Sequence, residues 1–333
     1  MGNKRNTLID ITRVAAAVGV ILCHVDLTGY GTVGVLLGQF LSVRFSVMFF
    51  LAIIGFYVEK SHQAGQKTIL KRVCSFLRVY GTWSLIYLAL SFVMLVLIQK
   101  VPLGQFLVSK GKDLFFSGSY YHFWFYPAVI YALLFIGGVK KRLGHRAIYF
   151  LMPLAVVLYV VGLLGTGYLP LGEKIPVLRT LYEAESFEGV MHLCLLGLPG
   201  IVFGMAAAHQ NKTCPGWLLL LAVAGYVAES MMLCLYLGWQ ENPQMLMSEP
   251  VLTVLFLNWI QDRNPGKGRR NGSLLRVISS SMYNVHPLFL AVFALVIPGL
   301  DGLGTFLLCT LCAAWFGWVL YYLRKVRLFS LLI

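Results

Sequence analysis

Acidic residues are scarce in this chain: 13 Asp and Glu stand against 27 Lys and Arg in 333 residues, for a net charge of +14. Charge of either sign is sparse as well, 12% of residues, where a soluble globular domain carries about 25%. Polar stretches long enough to bury a core of their own are also missing, since the longest, 99–119, 166–188 and 262–276, are each too short. These deficits exclude a soluble fold. Cysteine offers no disulfide framework, because Cys23, Cys74, Cys194, Cys214, Cys234, Cys309 and Cys312 fall within apolar segments or at their inner ends rather than paired in outer loops. A signal peptide is not expected, since the first apolar stretch carries Asp10 and Arg13 and has no clear small-residue cleavage site. Asn6 occupies the position where the lipidation motif opened by Gly2 needs Ser or Thr. The histidines are too scattered to predict a metal site.

What is abundant is apolar sequence. Hydrophobic residues make up 59% of the chain and its mean hydropathy is +0.77. Each membrane span needs about 20 mostly apolar residues. Ten are expected, near 8–28, 37–58, 73–98, 120–138, 147–165, 189–208, 216–237, 246–261, 277–298 and 303–322. The fold class is therefore all-α, a polytopic membrane helical bundle with residues 1–333 as a single integral membrane domain. Basic charge can signal nucleic acid, but here the cations follow the membrane. With the N-terminus inside, 19 of the 27 fall in inner segments, among them Lys4, Arg5, Lys67, Lys140, Lys267 and Arg276. Five are outside (Lys100, Lys110, Lys112, Lys174 and Arg179) and three lie within spans (Arg13, Arg44 and Arg78). The positive-inside rule then predicts N-in and C-in, with no nucleic-acid partner.

Arg13 and His24 share the first span. Eleven residues at about 100° each end about 20° past three full turns, so both side chains lie on one helical face about 16 Å apart along the axis. With Leu8 at the inner surface, Arg13 lies about 8 Å deep and His24 about 24 Å deep. An ionisable group at mid-bilayer costs about 2.5 to 3.5 kcal/mol, so such a face is expected to line a cavity rather than meet lipid. Arg13 has a plainer role open to it, snorkelling to the inner interface or pairing with Asp10. Arg72, Lys71 and the deeper Arg78 join Arg13 as a candidate cationic entrance for phosphate, which a planar guanidinium binds through two oxygens at once. Inside-positive topology alone also explains Lys71 and Arg72. A neutral imidazole in a low-dielectric cavity can take a proton from an alcohol as that alcohol attacks a thioester, and His24 is the candidate base. Tyr283 and Ser279-Ser-Ser281 lie near His286 in sequence and are candidates to orient substrate or stabilise an oxyanion. His122, in Tyr120-Tyr-His-Phe-Trp-Phe-Tyr126, reads equally as part of an interfacial aromatic belt. His192 reads as a hydrogen-bonded or wet histidine, and His62, His145 and His209 as loop residues.

These residues also recur in a familiar order. Arg13-Val-Ala-Ala-Ala-Val-Gly-Val-Ile-Leu-Cys-His24, Arg44-Phe-Ser-Val-Met-Phe-Phe-Leu-Ala-Ile-Ile-Gly-Phe56, Lys71-Arg72 with Arg78, Tyr80 and Trp83, Tyr121-His-Phe-Trp-Phe125, Gly197-Leu-Pro199 with Phe203-Gly204, and Ser279-Ser-Ser-Met-Tyr-Asn-Val-His-Pro287 follow one another along the chain. Together they resemble the acyltransferase family 3 of integral membrane acyltransferases over nearly the full length. The nearest branch holds the enterobacterial common antigen O-acetyltransferase and the membrane domains of vancomycin-resistance serine racemases. The resemblance implies a multi-pass enzyme of the bacterial cytoplasmic (inner) membrane. It would move an acyl group, usually acetyl from cytoplasmic acetyl-CoA, to a hydroxyl of an extracytoplasmic acceptor such as a cell-surface glycan or a small hydroxylated molecule. In that scheme His24 is the base, Arg13, Arg72, Arg78 and Lys71 hold the donor, and Arg44, His122, Trp124, Tyr283 and His286 shape the acceptor end. Ile54 stands where the family usually has Ser, and Met191-His192 replace an Arg-Asn pair, so altered or lost transfer is open. No racemase-like domain is expected after the tenth span. The rival reading is a transporter or exporter of a small amino acid or lipid-linked glycan, which would work without acyl-CoA.

Overall fold

A computed structural model describes residues 6–66, 68–210, 212–238, 244–261, 263 and 269–333. Lys4, Arg5, Lys67 and Lys267 lie outside the described residues. Every regular element among those described is helical. The main helices are α1 (Thr7–Cys23), α2 (Thr28–Gln63), α3 (Ile69–Ile98), α4 (Leu103–Phe116), α5 (Phe125–Leu143), α6 (Ala147–Leu164), α7 (Phe187–Gln210), α8 (Gly216–Tyr236), α9 (Ser248–Ile260), α10 (Arg269–Val296) and α11 (Gly302–Leu323). Among the described residues, seven helical stretches are long and apolar enough to cross a membrane. One of them, Phe125–Leu164, contains both α5 and α6 across the turn Gly144–Arg146, while α1, of 17 residues, and α9, of 13, are shorter than these seven. Large apolar side chains such as Leu85, Tyr149, Leu220 and Leu295 are exposed on the outside of the bundle. A chain with this surface is a multi-pass membrane protein, since those side chains find their apolar surroundings in lipid.

Two boundaries and one connecting segment differ from expectation. The fourth span was expected from 120 but begins at Phe125, because residues 119–124 are turned rather than helical. Gly118 has a φ of +86°, and a Cβ there would meet the Phe123 and Trp124 backbones, so only glycine lets the chain fold over so tightly. The ninth was expected from 277 but α10 starts at Arg269, which puts Arg276 on a helix. Helix α4 lies within 99–119, where no helix is expected, and exposes an apolar face of Leu103, Leu107, Val108, Phe115 and Phe116.

The centre of the bundle is α7, whose run from Pro199 to Ala208 is entirely buried. It crosses α2 at backbone contact: a Cβ on Gly204 would sit 1.8 Å from the Ala52 carbonyl oxygen, and one on Gly55 would sit 1.8 Å from that of Ile201. Small residues permit this approach, and close backbones gain dispersion contacts that lipid cannot replace. Gly204→Leu is therefore expected to force α2 and α7 apart. Overpacking of a tight interior costs about 1–3 kcal/mol or more, and a falling unfolding temperature in detergent checks it. Around this crossing, α1 packs on α2 and α10, α10 on α11, and α3 on α5. A buried ion pair, Lys140 Nζ to Glu59 Oε2 at 2.6 Å, with His209 Nδ1 3.3 Å from Oε1, joins α2, α5 and α7. Neither partner of that pair stands out in the sequence. Removing one would leave the other charge buried and uncompensated.

Candidate active site

Asn6 caps α1 by accepting a hydrogen bond from the Leu8 amide at 3.0 Å, and the helix then runs without interruption to Cys23, with His24 as its C-terminal cap. Arg13 and His24 thus occupy opposite ends of one face, as the eleven-residue spacing requires. They open onto different cavities. Arg13 lines one of about 200 Å³ together with Ile54, Phe76, Arg276 and Ser279. His24 lines two: one of about 460 Å³ with Arg44, His122, Trp124 and His192, and one of about 870 Å³ between the ends of α1, α10 and α11, walled by Asp26, Tyr30, Phe293 and Ile297. Phe50, Phe125 and Tyr283 belong to the walls of both the 200 Å³ and the 460 Å³ cavities. Their ring centres lie 5.5 to 6.5 Å apart. The three rings are an aromatic partition between an arginine-bearing cavity and a histidine-bearing one.

On the arginine side, Asp10 lies between Arg13 at 3.6 Å and Arg276 at 3.8 Å. The pairing with Asp10 expected for Arg13 is present, yet it does not withdraw Arg13 from the cavity. The Arg13 guanidinium also stands 5.8 Å from the centre of the Tyr57 ring, and Arg72 donates to the Tyr57 carbonyl at 3.3 Å and the Ser61 hydroxyl at 3.2 Å. Arg72 thereby joins the Arg13 neighbourhood. Lys71 and Arg78 are exposed and form no ion pair among the described residues. Helix geometry explains the split: Lys71 is about 100° and Arg78 about 240° around α3 from Arg72, so the three cannot share a face. Arg276, counted from sequence as an inner-loop cation, is the residue that the structure adds.

The histidine side is assembled from four parts of the chain. Residues 117–124 are held by Tyr80, whose hydroxyl donates to the Leu114 carbonyl at 2.7 Å and accepts from the Ser119 amide at 3.2 Å. Ser119 donates in turn to the Ser84 hydroxyl at 2.8 Å. From α10, Tyr283 donates its hydroxyl to the His122 carbonyl at 2.5 Å, and Asn284 accepts from Tyr126 at 2.6 Å and, through its carbonyl, from Tyr87 at 2.8 Å. These bonds tie the His-x-Trp-Phe segment to the Tyr-x-x-His-Pro segment. Tyr283 has one O–H and it is committed to His122, so in this state Tyr283 holds the wall and has no proton left for an oxyanion. The rings of His24 and His286 are centred 5.1 Å apart, and those of His122 and His286 5.2 Å apart. His24 and His122 face the 460 Å³ cavity, whereas His286 is fully buried behind them.

The remaining polar wall joins Arg44, expected at the acceptor end, to residues that the sequence does not mark out as part of a site. Gln39 and His192 sit on the π-helical stretches Leu36–Ser42 and Met191–Gly197, wide turns that interrupt the ordinary helical spacing and so hide which face a residue will occupy. His192 is buried, stacks on Trp124 at 4.1 Å with the planes 9° apart, and bonds Gln244 through Nε2 at 3.2 Å. It is hydrogen-bonded, as expected, but also part of the site. Arg44 is half-buried at the same cavity and donates from Nε to the Gln39 carbonyl at 2.9 Å. Two acids support this wall. Glu229 accepts from the Tyr168 hydroxyl at 2.6 Å, from the amides of Met247 and Ser248 at 2.7 and 2.8 Å, and from the Ser248 hydroxyl. Glu249 accepts from the Tyr159 hydroxyl and the Leu246 amide, both at 3.1 Å. Together they fix the strand of chain that carries Gln244. Among the described residues no group of three His, Cys, Asp or Glu is placed to hold a metal ion.

A helical membrane bundle with an arginine-bearing and a histidine-bearing cavity back to back fits a catalyst working between two substrates. The sequence profile of the acyltransferase domain family Acyl_transf_3 matches residues 6–322, and the chain belongs to that family. Its similarity extends to an amino-acid racemase of Enterococcus faecalis, 23% identical over 348 residues covering 96% of this chain and 46% of that protein. A serine/alanine racemase of Enterococcus gallinarum is 25% identical over 86% of this chain and 41% of its own length. The chain thus spans less than half the length of these curated relatives. No solved structure matches.

Proposed function

We propose that this protein is an O-acyltransferase of the bacterial cytoplasmic membrane that moves acetyl from acetyl-CoA on the inner side to a hydroxyl of an outer acceptor such as a cell-surface glycan. The observation that carries the reading is the pair of cavities divided by Phe50, Phe125 and Tyr283, with Arg13 and Arg276 on one side and His24, His122 and His192 beside a single arginine, Arg44, on the other. Arg13, Arg276 and Arg72 suit the phosphates or pantetheine arm of an anionic donor, because charge-assisted bonds from guanidinium to oxyanions are strong and directional. His24 suits the general base, since its ring borders both cavities on the acceptor side. The acceptor oxygen bonds to the thioester carbon as its proton passes to His24. The tetrahedral intermediate then breaks its C–S bond, and the CoA sulfur leaves with the proton that His24 carried. The products are the acetyl ester and free CoA thiol. Arg44, Trp124 and His192 line the space that the acceptor would fill.

Orientation belongs to this proposal and is tested by itself. A cysteine at Glu173, in the loop read as external, is expected to react with an impermeant maleimide added to intact cells. One at Lys141, in the last turn of α5 and read as internal, is expected to react only after permeabilisation. The reverse pattern would place the arginine cavity outside and remove acetyl-CoA as its ligand. Transfer itself is tested by incubating purified protein with labelled acetyl-CoA and a panel of glycan acceptors.

A further inference from the structure

Pro287 lies inside α10. It has no N–H, so the carbonyl of Tyr283, four residues earlier, loses the donor that a helix would give it. That carbonyl is taken instead by a side chain: His286 Nδ1 lies 2.9 Å from it and 3.0 Å from the Met282 carbonyl. A carbonyl only accepts, so Nδ1 carries the hydrogen. In the neutral imidazole the lone pair then falls on Nε2, which is buried and has no hydrogen-bond partner. A buried acceptor left unpaired costs free energy that a nearby donor would recover.

We propose that Pro287 holds His286 in its Nδ1–H tautomer so that Nε2 accepts a ring N–H from His24, making His286 the positioning residue for the base. The inference rests on the reading of His24 as base. The two ring centres are 5.1 Å apart and the planes 24° apart. A bond of about 2.9 Å between ring nitrogens places imidazole centres about 5 Å apart, so the separation is already suitable. The proposed bond requires His24 to turn about its soft χ2 torsion until its N–H meets Nε2. His24 borders two cavities and has room to turn, whereas His122 is 3% exposed and its backbone is pinned by Tyr283. With one nitrogen donating to His286, the other nitrogen of His24 keeps its lone pair for the acceptor hydroxyl. The His-Pro pair thus does for this imidazole what a carboxylate does in a hydrolase triad: it sets the tautomer and aims the ring.

The test combines nitrogen NMR of ¹⁵N-histidine protein in nanodiscs with steady-state kinetics. His286→Phe identifies the His286 signals. In the wild type these should report protonated Nδ1 and an unprotonated, hydrogen-bonded Nε2, and the Nε2 signal should move in His24→Phe, which keeps a ring and removes the N–H. Pro287→Ala returns an amide to the Tyr283 carbonyl. It should mix the tautomers and lower kcat about 10- to 100-fold, as loss of orientation does, with KM for acetyl-CoA and the unfolding temperature unchanged or the latter raised. Protonation at Nε2 in the wild type, an Nε2 signal indifferent to His24→Phe, or wild-type kcat in a tautomer-mixed Pro287→Ala would each overturn the inference. The NMR arms need no turnover. A wild-type protein that transfers nothing to any acceptor would therefore sink the acyltransferase reading, and the signals would still decide the tautomer and its partner.

Discussion

His24→Ala is expected to abolish acetyl transfer while leaving an inserted, folded protein. His24 caps the end of α1 and borders cavities on two sides, and its ring packs on those of Tyr121 and His286, centred 5.1 Å away in each case, so its removal costs modest packing. General-base catalysis supplies about 100- to 10,000-fold in rate. The activity loss should therefore dwarf any change in unfolding temperature, and CoA binding should persist because its proposed ligands lie across the aromatic partition. His24→Gln separates chemistry from structure: the amide keeps hydrogen bonding but cannot take a proton at neutral pH. Transfer, CoA binding and thermal unfolding measured on both variants decide the role. A fully active His24→Gln protein would make the histidine a polar structural residue and end the proposed mechanism.

The second large effect is expected at the donor side. Arg13→Met and Arg276→Met should each weaken CoA binding, and the double variant more so, while acceptor affinity stays the same. Losing one charge-assisted hydrogen bond costs about 1.5–3 kcal/mol, or about 10- to 150-fold in affinity. Both arginines also contact Asp10, so each variant leaves that carboxylate with a weaker setting. Asp10→Asn added to the double variant controls for this, and should not restore binding. Arg72→Ala is expected to act in the same direction through Tyr57 and Ser61, whereas the exposed Arg78 should matter less. Isothermal titration with CoA checks the series. Wild-type affinity in the Arg13 and Arg276 variants would remove the smaller cavity from the donor path.

Much of this arrangement is legible in the sequence. The eleven-residue step from Arg13 to His24 is a statement about helix geometry, and both residues line cavities at opposite ends of α1. The aromatic run around His122 and the Tyr-x-x-His-Pro run were visible as motifs. That Tyr283 donates to the His122 carbonyl was not, since no periodicity says which two helices meet. Arg276 went unrecognised because apolar character begins only at 277, although the helix starts at Arg269 and turns Arg276 towards Asp10. Lys71, Arg72 and Arg78 group by depth and by the family's third-helix pattern, and neither gives the angle around the helix. Glu59 and Glu249 stand near span ends and look like loop residues until their buried partners, Lys140 and Tyr159, are seen, and Glu229, inside the span 216–237, is explained only by Tyr168 and the Met247 and Ser248 amides that it accepts from. Gln39 and His192 were hidden by π-helical turns, and Gln244 by the absence of any regular pattern around it.

Oriented proteoliposomes carrying the protein, with labelled acetyl-CoA on the face bearing Arg13 and glycan acceptor on the face bearing His24, test the central claim most directly. The account predicts that acetyl appears as an ester on the acceptor, that one free CoA is released per ester, and that supplying acetyl-CoA only on the His24 face gives none. Acceptor modified equally from either face, or movement of a solute across the vesicle without any acyl-CoA and no ester formed, would contradict it.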